Sequence, residues 1–182
     1  MKKQELLRYP IGKFTKPITI SENQLQKWIS EIEIFPSKLK VATENLSISD
    51  LQLEYRPNGW NIKQVVHHCA DSHMNSFIRF KLALTEENPT IKPYEEQLWA
   101  EMKDGFDDDI SPSISILQGV HNRWILLLKS LNYSQFNRTF YHPESKQNIS
   151  LSEATGIYAW HCNHHFAHIQ QAILSKTIFK KV

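Results

Sequence analysis

The sequence predicts an all-α protein, an antiparallel four-helix bundle with a small β-hairpin before the last helix. Three observations lead there. Apolar residues recur at helical spacing in four long stretches. The 182 residues include only five glycines and eight prolines. The connections between the stretches have lengths that suit helices packed around one core. A chain of this size, 41% hydrophobic, can bury such a core without staples, so residues 1–182 read as a single domain.

Taken in order, the first twenty residues, with Tyr9-Pro10-Ile11-Gly12 and Pro17, read as an extended arm. Ser21-Glu22-Asn23-Gln24 has the form of a capping box. It opens a helix with Leu25, Trp28, Ile29, Ile32 and Leu39 on one face, which Pro36 should bend or break. Arg56-Pro57-Asn58-Gly59 is a turn, and Asn61 can cap a second helix running to about Glu87, before Pro89. A loop rich in Pro, Asp and Gly follows, with a short helix near Glu95–Met102. Ser111-Pro112 starts a third helix through Leu131, carrying Ile114, Leu117, His121, Trp124 and Leu128. Phe136–His142 and Asn148–Leu151, joined through Pro143-Glu144-Ser145-Lys146, read as the hairpin. Ser150-Leu151-Ser152-Glu153 caps the fourth long helix, which runs to about Ser175.

Composition narrows the function. The net charge is +2 and the basic residues are scattered, which gives nucleic-acid binding little support. No apolar run approaches the ~20 residues that span a bilayer, so no membrane role is expected. The charged start, Met1 to Glu5, lacks the apolar run of a secretory leader. Two cysteines, Cys69 and Cys162, cannot make a disulfide framework, and a reducing cytoplasm is the expected setting.

Histidine is where chemistry concentrates. Seven of the nine histidines lie in two stretches, His67, His68 and His73 in the second helix and His161, His164, His165 and His168 in the fourth. At about 100° per residue, Ala154, Tyr158, His161, His165, Ile169 and Ala172 form one stripe. His161 and His165 therefore share a face that only the bundle interior can receive. Burying two imidazoles side by side is costly unless something bridges them, which points to a metal ion. His164 and His168 have the same spacing but sit off-centre and rank second. In the second helix, Ile62, Val66, Cys69, His73, Phe77, Phe80 and Leu84 make the apolar stripe. Gln64, His68, Asp71, Asn75 and Arg79 make a polar stripe at its boundary. Periodicity leaves both His68 and His73 open as the third ligand, with His68 ahead, while His67 points elsewhere. Cys69 and Cys162 each follow a candidate ligand but diverge from it by about 100°, and read as small apolar fillers.

Several of these segments resemble one family. They are Tyr9-Pro10-Ile11-Gly12, Gly59-Trp60 leading into Val65-Val66-His67-His68-Cys69-Ala70-Asp71-Ser72-His73-Met74-Asn75-Ser76, Arg79-Phe80-Lys81, Phe140-Tyr141-His142-Pro143, and Trp160-His161 followed by His165. The chain resembles the DinB/YfiT-like metal-dependent hydrolases, in their YfiT branch. The resemblance implies one divalent metal per chain, zinc first and nickel second, held by His68, His161 and His165. It also implies a homodimer and a small-molecule substrate. Since related bundles include thiol S-transferases, transfer of a bacillithiol-type thiol is the leading expectation. Hydrolysis of an amide- or ester-like substrate and a non-catalytic stress-response bundle are the alternatives. Ligand histidines usually donate their second ring nitrogen to an acceptor, and Gln64, Asp71 and Asn75 are the candidates by spacing. Arg79 could meet a substrate carboxylate or, with at least equal weight, pair structurally with Asp71 or Asn75; His121 and Trp124 are expected as core packing, and access should run over the loops at Pro89–Asp109.

Overall fold

The computed structural model describes residues 2–179. Four long helices make the bundle. With the short elements between them the order is α1 (Lys2–Arg8), α2 (Glu22–Thr43), α3 (Ile48–Leu51), α4 (Ile62–Thr85), α5 (Glu96–Ala100), a 3-10 turn (Lys103–Phe106), α6 (Ser111–Ser130), α7 (Tyr133–Phe136), β1 (Thr139–His142), β2 (Gln147–Ser150) and α8 (Leu151–Phe179). The strands pair antiparallel, Thr139 opposite Ser150 and His142 opposite Gln147.

The caps form where the sequence places them. Ser21 accepts from the Gln24 backbone N–H, and Asn61 and Gln64 make a reciprocal capping box. Three local expectations are corrected. The arm is not extended throughout, because Lys2–Arg8 is helical. This run of good helix formers is held by α8, where Gln171 Nε2 donates to the Leu7 carbonyl and Trp160 Nε1 to that of Gly12. The arm thus packs against its own chain. Pro36 does not break α2, which runs uninterrupted through it. The Ile32 carbonyl that a helical N–H at position 36 would have met accepts from His121 Nδ1 at 2.7 Å instead. Phe136 belongs to α7 rather than to the hairpin; Asn132 and Gln135 cap that turn, and Phe136 is buried.

Packing order around the bundle differs from chain order. The main contacts join α2 to α6, α6 to α4, α4 to α8 and α8 back to α2. Helices α2 and α4 therefore sit across a diagonal, as do α6 and α8, and the long connections 44–61 and 131–150 cross the ends. Ile29, Ile32, Leu39, Val66, Phe80, Leu117, Trp124, Leu128 and Ile169 fill the centre, none more than 1% exposed. α4 has α6 on one flank and α8 on the other, which sets up the site described next.

Gly156 on α8 packs directly against Trp28 of α2. A Cβ there would lie 2.7–2.9 Å from the six-membered ring of the buried Trp28. Alanine is intrinsically better than glycine in a helix interior by roughly 1 kcal/mol. The clash should outweigh that preference, since overpacking costs about 1–3 kcal/mol. Gly156→Ala is expected to lower the thermal midpoint, read by circular dichroism; an unchanged or raised midpoint would show that Trp28 moves aside freely.

Candidate metal centre

α8 presents His161 and His165 one turn apart, and α4 brings His68 to meet them. One ring nitrogen from each lies within 4.8 Å of the others. His68 Nε2 and His161 Nε2 approach to 3.3 Å, and the His161 and His165 rings meet edge to face with centroids 4.4 Å apart. The Trp60 ring packs on His68 at 4.7 Å. Burial keeps these imidazoles neutral: it lowers His68 to about 4 and holds His161 and His165 well below the usual histidine value. His165 Nδ1 is buried with no hydrogen-bond partner among the described residues. Neutral nitrogens converging this closely, with one ring nitrogen unpartnered, fit a divalent first-row cation.

His73 is the buried alternative, and the structure puts it behind the cluster. His73 Nε2 lies 3.0 Å from His161 Nδ1, and His73 Nδ1 lies 2.6 Å from His121 Nε2. His121 Nδ1 in turn meets the Ile32 carbonyl. His121 is thus more than packing, a role that sequence periodicity alone misses. The signal available was Pro36, which leaves the carbonyl four residues earlier without its helical donor. His67 turns the other way, bonding the Ser113 hydroxyl at 2.8 Å and the Asp107 carbonyl at 3.0 Å.

The second off-centre pair is used differently. His168 stacks on Tyr55 with centroids 3.8 Å apart, and its Nε2 donates to the Arg8 carbonyl at 3.0 Å. His164 stacks on Trp160 at 4.4 Å and on Tyr9 at 5.7 Å. Both lie under the arm. Two of the polar candidates near His68, Gln64 and Asn75, are likewise committed elsewhere. Gln64 completes the α4 cap and donates to the Ala100 carbonyl. Asn75 donates to the Asp71 carbonyl, and the Asp71 carboxyl is raised to about 6 by burial and by the nearby Asp104 charge. It is His73 that bonds a clustered ring. Cys69 and Cys162 are free and buried, and burial raises both thiols, as suits apolar fillers.

Residues 31–169 match the profile of the DinB superfamily. The chain belongs to the DinB superfamily. It is 52% identical over 165 residues to a Bacillus subtilis protein named "Putative metal-dependent hydrolase YfiT", covering 91% of this chain and 93% of that one. A Bacillus mycoides protein likewise named a "Putative metal-dependent hydrolase" is 52% identical over 163 residues, covering 90% of this chain and 93% of that one. The solved structure of YfiT from Bacillus subtilis, described as having an unusual four-helix bundle topology, superposes with a TM-score of 0.92 at 49% identity, covering 94% of this chain and 98% of that chain.

In this DinB-superfamily chain two cavities open beside the cluster. One, about 270 Å³, is lined by Arg8, Arg56, Trp60, Glu96, His68 and His165. The other, about 420 Å³, is lined by Arg79, Tyr94, Glu96, His142 and Tyr158. His161 and Glu96 border both. Glu96 was not singled out by sequence pattern; its carboxylate lies 3.8 Å from His68 Nε2. α5, which carries it, belongs to the expected access segment, but the arm and the Tyr55–Trp60 turn form the rest of the first rim.

The buried imidazoles make stability depend on pH. Burial lowers His121 and His168 to about 4 and His164 to about 3, besides His68 at about 4. An unfolded chain takes up these protons near pH 6.5, whereas the folded chain does so only near pH 4. Between those values the unfolded state holds more protons, so stability rises with pH and falls on acidification. The urea midpoint of metal-free protein is expected to fall steadily from pH 7 to pH 4.5. A flat profile over that window would contradict the burial of these rings.

Proposed function

We propose that this protein is a metal-dependent enzyme that transfers a low-molecular-weight thiol of the bacillithiol type to an electrophile. In this reading His68, His161 and His165 hold one divalent ion, zinc first and nickel second. The observation that carries it is the convergence of three neutral ring nitrogens between two cavities that share His161 and Glu96. Two cavities at one centre suit two reactants. When bound, an ion held by three neutral imidazoles keeps its full positive charge and an open position, and favours the ionised form of a thiol or water beside it.

The chain's own residues do the rest. Burial keeps the three imidazoles neutral, so their lone pairs are free for coordination at neutral pH. The Trp60 ring shields His68 from solvent. Arg8 and Arg56 give the first cavity positive charge that suits a thiol bearing carboxylates, and Arg79 does the same in the second. Glu96, on the rim common to both, is placed to take the proton that the nucleophile gives up. A reducing cytoplasm would keep such a thiol available. Pairing into a homodimer belongs to the same reading through family resemblance alone. The second reading, hydrolysis, is favoured by the names of the relatives; it uses the same residues with water in place of thiol.

Elemental analysis of the untagged protein is expected to find about one divalent ion per chain, as three-histidine sites hold. His68→Ala, His161→Ala and His165→Ala should each lose most of it. Full retention in both α8 variants would move the site to His164 and His168. For the reaction, a small alkylating electrophile is incubated with metal-loaded protein and bacillithiol, cysteine or no thiol. Acceleration specific to one thiol and lost in His68→Ala is the expected result. Thiol-independent cleavage of an ester or amide would assign the hydrolase reading instead, and inertness at full metal occupancy would leave a non-catalytic bundle.

A further inference from the structure

The three nitrogen contacts behind His161 leave little freedom in where the protons sit. A backbone carbonyl can only accept, and a neutral imidazole carries one N–H and one lone pair. The Ile32 carbonyl therefore fixes the proton of His121 on Nδ1, 2.7 Å away. His121 Nε2 must then accept, and the group facing it at 2.6 Å is His73 Nδ1, which donates. His73 Nε2 is left to accept, at 3.0 Å, from His161 Nδ1–H. That leaves His161 Nε2 bare, facing His68 Nε2 at 3.3 Å. Reversing any one ring would set two N–H groups or two lone pairs against each other in a dry interior.

We infer that Pro36, His121 and His73 form a positioning relay that fixes His161 as its Nδ1–H tautomer, with the Nε2 lone pair directed at His68 and His165. The inference rests on the reading of His161 as a metal ligand. Pro36 starts the relay by removing the N–H that would otherwise compete for the Ile32 carbonyl. Each step changes helix, from α2 to α6, α4 and α8, which is the packing order of the bundle. At the far end of the relay the Ser72 hydroxyl lies 3.5 Å from His161 Nε2, where it can donate to the lone pair; around the other two rings the walls are aromatic. His73 and His121 are 0% and 1% exposed, and the faces and edges of Phe35, Trp124 and Tyr158 wall His73 at centroid distances of 5.4 to 6.2 Å. The Tyr158 hydroxyl is turned to the Ser72 carbonyl. Burial holds all three rings neutral, as the single-proton argument requires. Ring-to-carbonyl partners of this kind orient metal-binding histidines and raise their basicity. Here two further histidines lie between the ligand and the carbonyl.

The test uses the full-length, metal-free protein labelled with ¹⁵N. Long-range ¹⁵N–¹H correlation spectra are expected to show His121, His73 and His161 each protonated at Nδ1 and bare at Nε2. In His121→Phe, which keeps an aromatic ring but removes both nitrogens, the His161 signals should move toward a tautomer mixture. Zinc affinity, read by competition with a chromophoric chelator, should weaken by about 10- to 100-fold, the range for lost outer partners of ligand histidines. His73→Phe removes the direct partner and should weaken zinc binding in the same range. The wild-type spectra decide the tautomers even if either variant fails to fold. A proton on His161 Nε2 in the wild type, or zinc affinity unchanged in both variants, would overturn the relay. Failure of the wild type to bind zinc would instead overturn the reading of the three ligands, and the tautomer pattern would then decide the relay alone.

Discussion

The hydrogen-bonded run from the Ile32 carbonyl through His121 and His73 to His161 touches all four long helices, and the arrangement of the bundle serves it. Taking an imidazole out of water costs free energy unless both ring nitrogens find partners. For His121 and His73 the partners are one another, a carbonyl and His161. Each ring is held by a neighbour on a different helix, so the helices must stand in the order α2, α6, α4, α8. A bundle with its helices in chain order would separate His121 from the Ile32 carbonyl, and His68 and His73 from His161. The long end connections that permit the diagonal arrangement are thus part of what builds the site.

α8 carries histidines on two faces, so burying one face would leave the other wet. The N-terminal arm resolves this. Arg8 supplies a carbonyl to His168, Tyr9 stacks on His164, and Tyr55 covers His168 from the turn before α4. Trp160, one turn before His164 and stacked on it, donates to the Gly12 carbonyl and anchors the arm. The cover that dries His164 and His168 also walls the first cavity with Arg8, so the enclosure of the helix and the charge of the cavity come from one segment.

On the opposite side α4 ties down the loop between itself and α6. Lys63, 5% exposed, places its ammonium 2.6 Å from the Asp108 carboxylate and 2.6 Å from the Phe106 carbonyl. His67 holds the Asp107 carbonyl and the Ser113 hydroxyl. The Lys63 ammonium is shielded though Asp108 is 43% exposed, and with Gln64 donating to the Ala100 carbonyl these bonds give α5 and Glu96 a base on α4. The strand edge at Thr90 pairs with Tyr141, and this brings Tyr94 and His142 to the second cavity.

Patterns that depend on neighbours in the chain were legible in the sequence. Ser21 and Asn61 cap their helices because a side-chain oxygen reaches an N–H three residues on, and His161 and His165 share a face because a helix turns about 100° per residue. The four helices and the hairpin follow from the same local periodicities. Choosing between His68 and His73 was not local: both faces of α4 are buried, one against the core and one beneath Trp60 and α5, so periodicity could not separate the ring in the cluster from the ring behind it. Gln64 and Asn75 looked like partners for His68 by spacing, yet the cap, the loop and their own helix occupy them. Pro36 shows the division most plainly. The sequence determines that an N–H is missing and that a carbonyl four residues back lacks its helical donor. Only the tertiary structure decides that His121, 85 positions later, satisfies that carbonyl and lets α2 continue, because a hydrogen bond between helices depends on which helices become neighbours.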